Sequence, residues 1–360
     1  MFGVHFACWA RPGIFMQVKS HIFLPGGIMT KRFFLAVLMA GILSFGFGGA
    51  GSALAEMSPM TIKLAHVVNE KDGFHIAATR FKEIVEDRTG GKVSVDLYPN
   101  AQLGDERTLL EGMQIGSVDM GIITNGPVAN FVEEIAVFEL PFLFASPEAA
   151  YSVLDGEIGK EILASLGRVQ LKGLAFAERG FRNLTNNVRP VTTPKDMEGL
   201  KIRVMENPVY IDTFQALGAN AVPMAWTEAL TAMQQGTIDG QENPINVIHS
   251  FKLYEPQKHL SMTRHTYAPA IIVMSLNLWN GLPADVQGIV AAAAQEAAEY
   301  EREMNAKMSA EQTQDLRDNG MQIVENPDIP AFQAKVAPVY EKYGTKFGTY
   351  LQRIQEQLKK

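Results

Sequence analysis

The chain has 360 residues, 47% of them hydrophobic, with 32 Lys and Arg against 39 Asp and Glu, a formal charge of −7 and one cysteine. An acidic balance of this kind lacks the basic stripe that a nucleic-acid partner requires, and a single cysteine excludes a disulfide framework. The length suggests two domains rather than one.

Lys31 and Arg32, the apolar run from Phe33 to Phe47, and the small residues ending in Ala53-Leu54-Ala55 have the three-part layout of a secretory signal. The exported chain is therefore expected to begin near Glu56, with cleavage near Ala55 and the periplasm as destination. Met29 directly precedes the signal, so residues 1–28 read as an upstream extension; the other reading is a long leader. The apolar run is too short and glycine-rich for a membrane span, and no later stretch is long and apolar enough to be one. The leader holds Arg11, Lys19, Lys31, Arg32 and Cys8 and no acid. Without it 28 cations face 39 acids, a formal charge of −11, and thiol chemistry is gone. A periplasmic protein of about 300 residues has a core large enough to do without disulfides.

Strands and helices then alternate. Thr61 to His66 has strand spacing; Phe74, Ala77, Ala78, Phe81, Ile84 and Val85 fall at helical spacing and stop at Gly90-Gly91. A strand at Val93, Val95 and Leu97, a helix with Leu109, Leu110 and Met113, and a strand from Val118 to Ile123 follow. Repeated units of this kind predict an α/β domain with a largely parallel sheet, in which ligands sit beyond the carboxyl ends of strands. His66 and Thr124 end two of those strands and are candidates for a pocket edge; His66 reads equally as a hydrogen-bonded histidine near a strand end.

After a helix from Pro147 and a strand from Leu171 to Phe176, the segment Ala177 to Asn186 reads as a polar turn and the first crossing between domains. Lys201 to Val204 alternates as a short strand. Asn207-Pro208 starts a helix that Gly218 closes, a second helix starts at Thr227 and ends at Gly236, and Asp239 to Pro244 reads as a polar turn. Arg182 and Arg203, at neighbouring strand ends, would make a clamp for a carboxylate, because a guanidinium presents paired donors in a planar fork. Beyond a strand from Ala270 to Ser275, the stretch from Pro283 to about Leu316 is one helix, roughly 50 Å long at 1.5 Å per residue, either crossing two domains or lying peripherally. A strand near Met321 to Val324 and helices from Pro330 and Thr345 finish the chain.

The blocks AQLGDERTLLEGMQIGSVDMGIIT, GFRNLTN, KIRV followed by NP, and PMAWTEALTAMQQGTIDGQENP, in an exported and cysteine-free chain, resemble the DctP-type solute-binding protein of a TRAP transporter over residues 60–350. The resemblance implies a two-lobed α/β receptor that closes a cleft on an organic acid and passes it to a small DctQ-type and a large DctM-type membrane subunit. The lobes would comprise 56–179 with 269–308, and 180–268 with 309–360, spanned by the long helix. By the same resemblance Arg203 pairs with the substrate carboxylate, Asn243 contacts it too, Arg182 is the second arginine, and Trp226 lies against the carbon skeleton. Glu178, His66 and Thr124 match positions that tune specificity. Trp226 taken alone reads as core packing.

A carboxylate at Glu178 could neutralise Arg179 or Arg182. In a pocket it would accept hydroxyl hydrogen bonds, which favours a sugar acid such as a uronate, aldonate or keto-sugar acid over a C4-dicarboxylate. No HExxH, GxSxG or P-loop occurs after the leader, the one GxGxxG (Gly46 to Gly51) falls inside it, and His66, His75, His249, His259 and His265 are not spaced as a metal pair. An enzyme, a cofactor and a metal are not expected. The protein is expected to be a monomer, and a receptor that reports to a sensor kinase instead of a permease would use the same cleft.

Overall fold

A computed structural model describes residues 58–359; the expected leader, with Met29, Cys8 and the cleavage point, lies outside them. The first half begins with β1 (Met60–Ala65), α1 (Gly73–Arg88), β2 (Val93–Tyr98), α2 (Glu106–Ile115) and β3 (Met120–Thr124). β1 runs parallel to both β2 and β3. Local chemistry sets these boundaries. Asp72 and Asp105 cap α1 and α2 by accepting the Phe74 and Thr108 amides, and Gly116 closes α2 in the left-handed conformation at φ 77°. The apolar faces of both helices bury on the sheet.

α3 (Asn125–Val128), a 3-10 segment (Glu133–Glu139), α4 (Pro147–Leu154) and α5 (Glu157–Ser165) lead to β4 (Leu171–Asn186). Here the structure corrects the expected polar turn at Ala177 to Asn186. The strand continues through it, paired along its whole length with β8 (His259–Ser275), with register shifts at Glu178/Gly180 and Arg182/Leu184. Its polar residues are carried by protein partners, on neighbouring strands and at the helices packed against them, instead of by solvent.

The second half contains β5 (Lys201–Val204), α6 (Pro208–Ala216), β6 (Asn220–Pro223), α7 (Trp226–Gln234), β7 (Gly240–Asn243) and α8 (Ile245–Ser250). As expected, Asn207 caps α6 and Pro208 takes its first turn. The expected polar turn around Gly240 to Asn243 is another correction, since all four residues are a buried strand between β4 and β5. The sheet order is β2-β1-β3-β8-β4-β7-β5-β6, with β9 (Gln322–Val324) also on β8. β3 pairs with the end of β8 and β7 with the end of β4, so two long antiparallel strands join the halves into a two-lobed α/β architecture.

After α9 (Leu276–Gly281), α10 (Ala284–Asp318) runs 35 residues and packs on α1, β4 and α8 in turn. Its first half buries Val290, Ala293, Ala294, Ala297 and Ala298, small side chains that let α1 approach closely. The helix thus crosses the molecule, as one of the two readings had it. α11 (Ile329–Lys335), α12 (Ala337–Lys346) and α13 (Gly348–Gln357) close the chain. α12 pairs with α6 through Lys342 and Tyr343 to Asp212, while α13 pairs with α5 through Arg353 to Glu161. No helix among the described residues is long and apolar enough to cross a membrane.

Candidate ligand-binding site

The carboxyl ends of β1, β5 and β6 and the start of α2 meet around a recess with about 340 Å³ of empty space, part of it open to solvent. Val67, Glu106, Arg203, Met224 and Trp226 are among its walls. This is where parallel α/β sheets place their ligands, because helix N-termini and strand ends converge there.

Arg203 is 4% exposed. Its Nε and Nη2 donate to the Met224 carbonyl at 3.0 and 2.8 Å, and its guanidinium carbon lies 5.6 Å from the centre of the Trp226 ring. No carboxylate among the described residues pairs with it. Burial and then the charge of Arg182 push its pKa down to about 10, against the pull of Glu242, Glu106 and Glu206. A buried cation without a counter-charge is costly, and an anion in the recess would relieve that cost.

Arg182 differs. It is buried beside Arg203, but its Nε donates to the Glu242 carboxylate and its Nη2 donates to both the carbonyl and Oε1 of Glu242, at 2.6 and 2.8 Å. His265 Nε2 lies 3.2 Å from Glu242 Oε2, and His265 Nδ1 is 2.8 Å from the Thr263 hydroxyl. Burial alone would raise the pKa of Glu242; Arg182 and His265 overcome it and hold the carboxyl below its ordinary range. The two arginines are thus close, one anchored within the protein and the other turned to the recess.

Trp226 lines the recess, meets Phe251 edge-on at 5.0 Å and leaves its Nε1 without a partner. Thr124, at the end of β3, donates its amide to Glu106 Oε1 at 2.6 Å. Burial raises the Glu106 pKa, while Thr124, Arg179 and Arg203 oppose the rise. The sequence reading missed Glu106. An acid in the first turn of a helix ordinarily answers the helix dipole, and only its place in the AQLGDER block singled it out.

His66, at the end of β1 next to Val67, is fully buried, with Nε2 3.1 Å from His75 Nδ1 and its own Nδ1 unpartnered. Burial, then His75 and Arg179, lower its pKa to about 3, so the ring is neutral. Asn243 is buried on β7 against Gln241 and is not a wall of this recess. Glu178 is not brought here either. Its carboxylate accepts from the Tyr151 and Tyr267 hydroxyls, and it neutralises neither Arg179, which pairs with Asp72, nor Arg182. The β-bulge between Glu178 and Gly180 decides which way that carboxylate faces. No cluster of metal-binding type occurs among the described residues.

Comparison with known proteins shows the family. Residues 64–346 match the family model of the bacterial extracellular solute-binding proteins, family 7 (DctP). A TRAP periplasmic solute-binding protein from Bordetella bronchispeptica, solved with density assigned to pantoate, is 42% identical with a TM-score of 0.81, over 83% of this chain and 99% of that one. The sugar-acid-binding protein DctPAm of Advenella mimigardefordensis, solved with galactonate, is 31% identical with a TM-score of 0.82, over 84% and 99% of the two chains. The 2,3-diketo-L-gulonate-binding periplasmic protein of Escherichia coli is 34% identical, over 82% of this chain and 88% of its own. The chain belongs to the DctP family and is a TRAP-type solute-binding protein, a class of binding proteins and not of enzymes.

Proposed function

We propose that the protein captures a sugar acid, such as a uronate, aldonate or keto-sugar acid, with the carboxylate on Arg203, and delivers it to DctQ-type and DctM-type membrane subunits. The observation that carries this reading is the buried Arg203 guanidinium, which makes no ion pair with any carboxylate among the described residues. Charge-assisted bonds in such a site are roughly twice as strong as neutral ones. Trp226 offers a plane for the C–H face of the ligand, and Arg182 adds positive potential while Glu242 holds it in place. Thr124 and His66 stand behind the wall, Thr124 bonded to Glu106 and His66 next to Val67.

The choice of a polyhydroxylated acid rests better on Glu106 than on Glu178. Glu106, Asp105 and Glu206 all line the recess and would repel the far carboxylate of a C4-dicarboxylate, while accepting hydroxyl hydrogen bonds. The galactonate and diketogulonate ligands of the relatives agree with that argument. The lobes of this reading comprise 56–179 with 269–308 and 180–268 with 309–360, and they close on the ligand as a monomer in the periplasm after cleavage near Ala55.

A thermal-shift screen of sugar acids and dicarboxylates tests the proposal, since a ligand bound only by the native state raises the melting temperature. Galactonate or glucuronate is expected to give the largest rise. A larger rise with succinate or malate would overturn the ligand class.

A further inference from the structure

Two turns meet at the edge of the Arg203 recess. One follows β3 and runs through α3 to Asn130; the other, Met205 to Asn207, joins β5 to α6. β8, β4 and β7 separate β3 from β5 in the sheet, so the turns come from opposite halves of the molecule and no strand pairing holds them together. Pro127 of the first turn and Met205 and Glu206 of the second are walls of the recess.

What joins the turns is a crossed pair of side-chain bonds. Asn207 Nδ2, from the second half, donates to the Gly126 carbonyl of the first at 3.0 Å. In the opposite direction Asn130 Nδ2 donates to the Glu206 carbonyl at 2.6 Å and to the Pro127 carbonyl at 3.3 Å, so a single amide spans two wall residues, one from each half. Gly126 permits the close approach, since a β-carbon there would lie 2.8 Å from Met205 Cε. Just inside α6, the Tyr210 hydroxyl donates to the Glu139 carboxylate of the first half at 2.5 Å.

The two asparagines differ in one respect. Asn207 is fully buried, and its Oδ1 also caps α6 by accepting the Val209 amide at 2.8 Å. Asn130 is exposed, so water can take over its amide when the turns part. A neutral bond of this kind shifts an equilibrium by roughly fivefold, enough to bias two arrangements of the halves and too little to weld them. Neither asparagine is a wall of the recess. We propose that Asn130 and Asn207 form a latch at its rim, two positioning residues whose crossed bonds favour the closed arrangement of the halves and set how long a bound acid stays. In the proposed function the halves close on an acid, and the latch rests on that reading.

Two neutral substitutions test the latch. Asn130→Ala removes one donor at an exposed position, and Asn207→Ser keeps an acceptor for the α6 cap while falling short of Gly126. With galactonate as the probe in stopped-flow displacement, each is expected to release the acid about fivefold faster and to leave the association rate within about twofold of wild type. Asn130→Gln, which retains an amide, is expected to recover part of that loss, and the melting temperature of unliganded Asn130→Ala is expected to match wild type, which a merely structural role would not give. Small-angle scattering on the unliganded protein is expected to show a larger radius of gyration in both variants. The proposal is overturned if neither variant speeds galactonate release beyond about twofold and neither expands the unliganded protein. If galactonate does not bind at all, that failure falls on the proposed ligand class, and the scattering comparison alone decides the latch.

Discussion

Arg182 and Arg203 are both almost wholly buried and lie near one another, yet their surroundings differ in kind. Around Arg182 the protein supplies its own counter-charge, Glu242, and braces that carboxylate with His265 and Thr263. Around Arg203 it supplies one carbonyl and an aromatic face. The first arrangement holds Arg182 in place with or without a ligand, and in the proposed reading the second carries its cost until an anion arrives. The identity of the residue therefore says little about its role; the neighbour that neutralises it says a great deal.

Replacing each arginine in turn is the direct way to break that comparison. Arg203→Ala is expected to weaken galactonate binding by about a thousandfold, about 4 kcal/mol, since truncating one partner of a buried charge pair costs about 2–5 kcal/mol. Calorimetry reads this, and an affinity within threefold of wild type would remove Arg203 from the anchor position. Arg203→Lys keeps the charge, loses the fork, and should still cost at least tenfold.

Arg182→Met should act on stability instead. It leaves Glu242 buried without its partner, a change expected to cost about 3 kcal/mol in urea unfolding, whereas Arg203→Met should leave stability unchanged or raise it. Equal losses in the two variants would abolish the distinction between the two arginines.

A pH series sharpens it further. His66 stays neutral down to about pH 3 in the folded protein against an ordinary value of 6.5, so its lowered pKa leaves stability intact above pH 6.5 and erodes it as pH falls toward 3, where the unfolded chain binds the proton more readily. His66→Asn should flatten that slope by up to about 1.4 kcal/mol per pH unit in denaturant titrations; an unchanged slope would mean that His66 is protonated in the fold. The smallest effect is expected from Trp226→Leu, a loss of roughly tenfold in affinity for the sugar acid, about 1.4 kcal/mol, with little change for a smaller acid such as pantoate.

Much of this was legible in the residues because the relevant signals are local. Asn207-Pro208 with Gly218 marks a helix, a long run free of Pro and Gly after Gly288 marks α10, and KIRV before NP marks the Arg203 strand. What escaped was decided by pairing between distant segments. Glu178 to Asn186 and Gly240 to Asn243 look like turns because they are polar, but each is buried by bonding to a strand far away in the chain. The direction of Glu178 turned on a single bulge, and Glu106 entered the recess because β3 brings the Thr124 amide to it. Neither event leaves a mark in periodicity.

The place of β8 between β3 and β4 bears on how the chain reaches this fold. β3 finds its neighbour at Ala270 to Met274, and α1 finds its cover in α10. A chain emerging from its amino end therefore holds β1, β2, β3 and α1 for most of its length before the segments that enclose them appear. Contacts this remote slow folding, so the early part stays open until the last quarter has emerged.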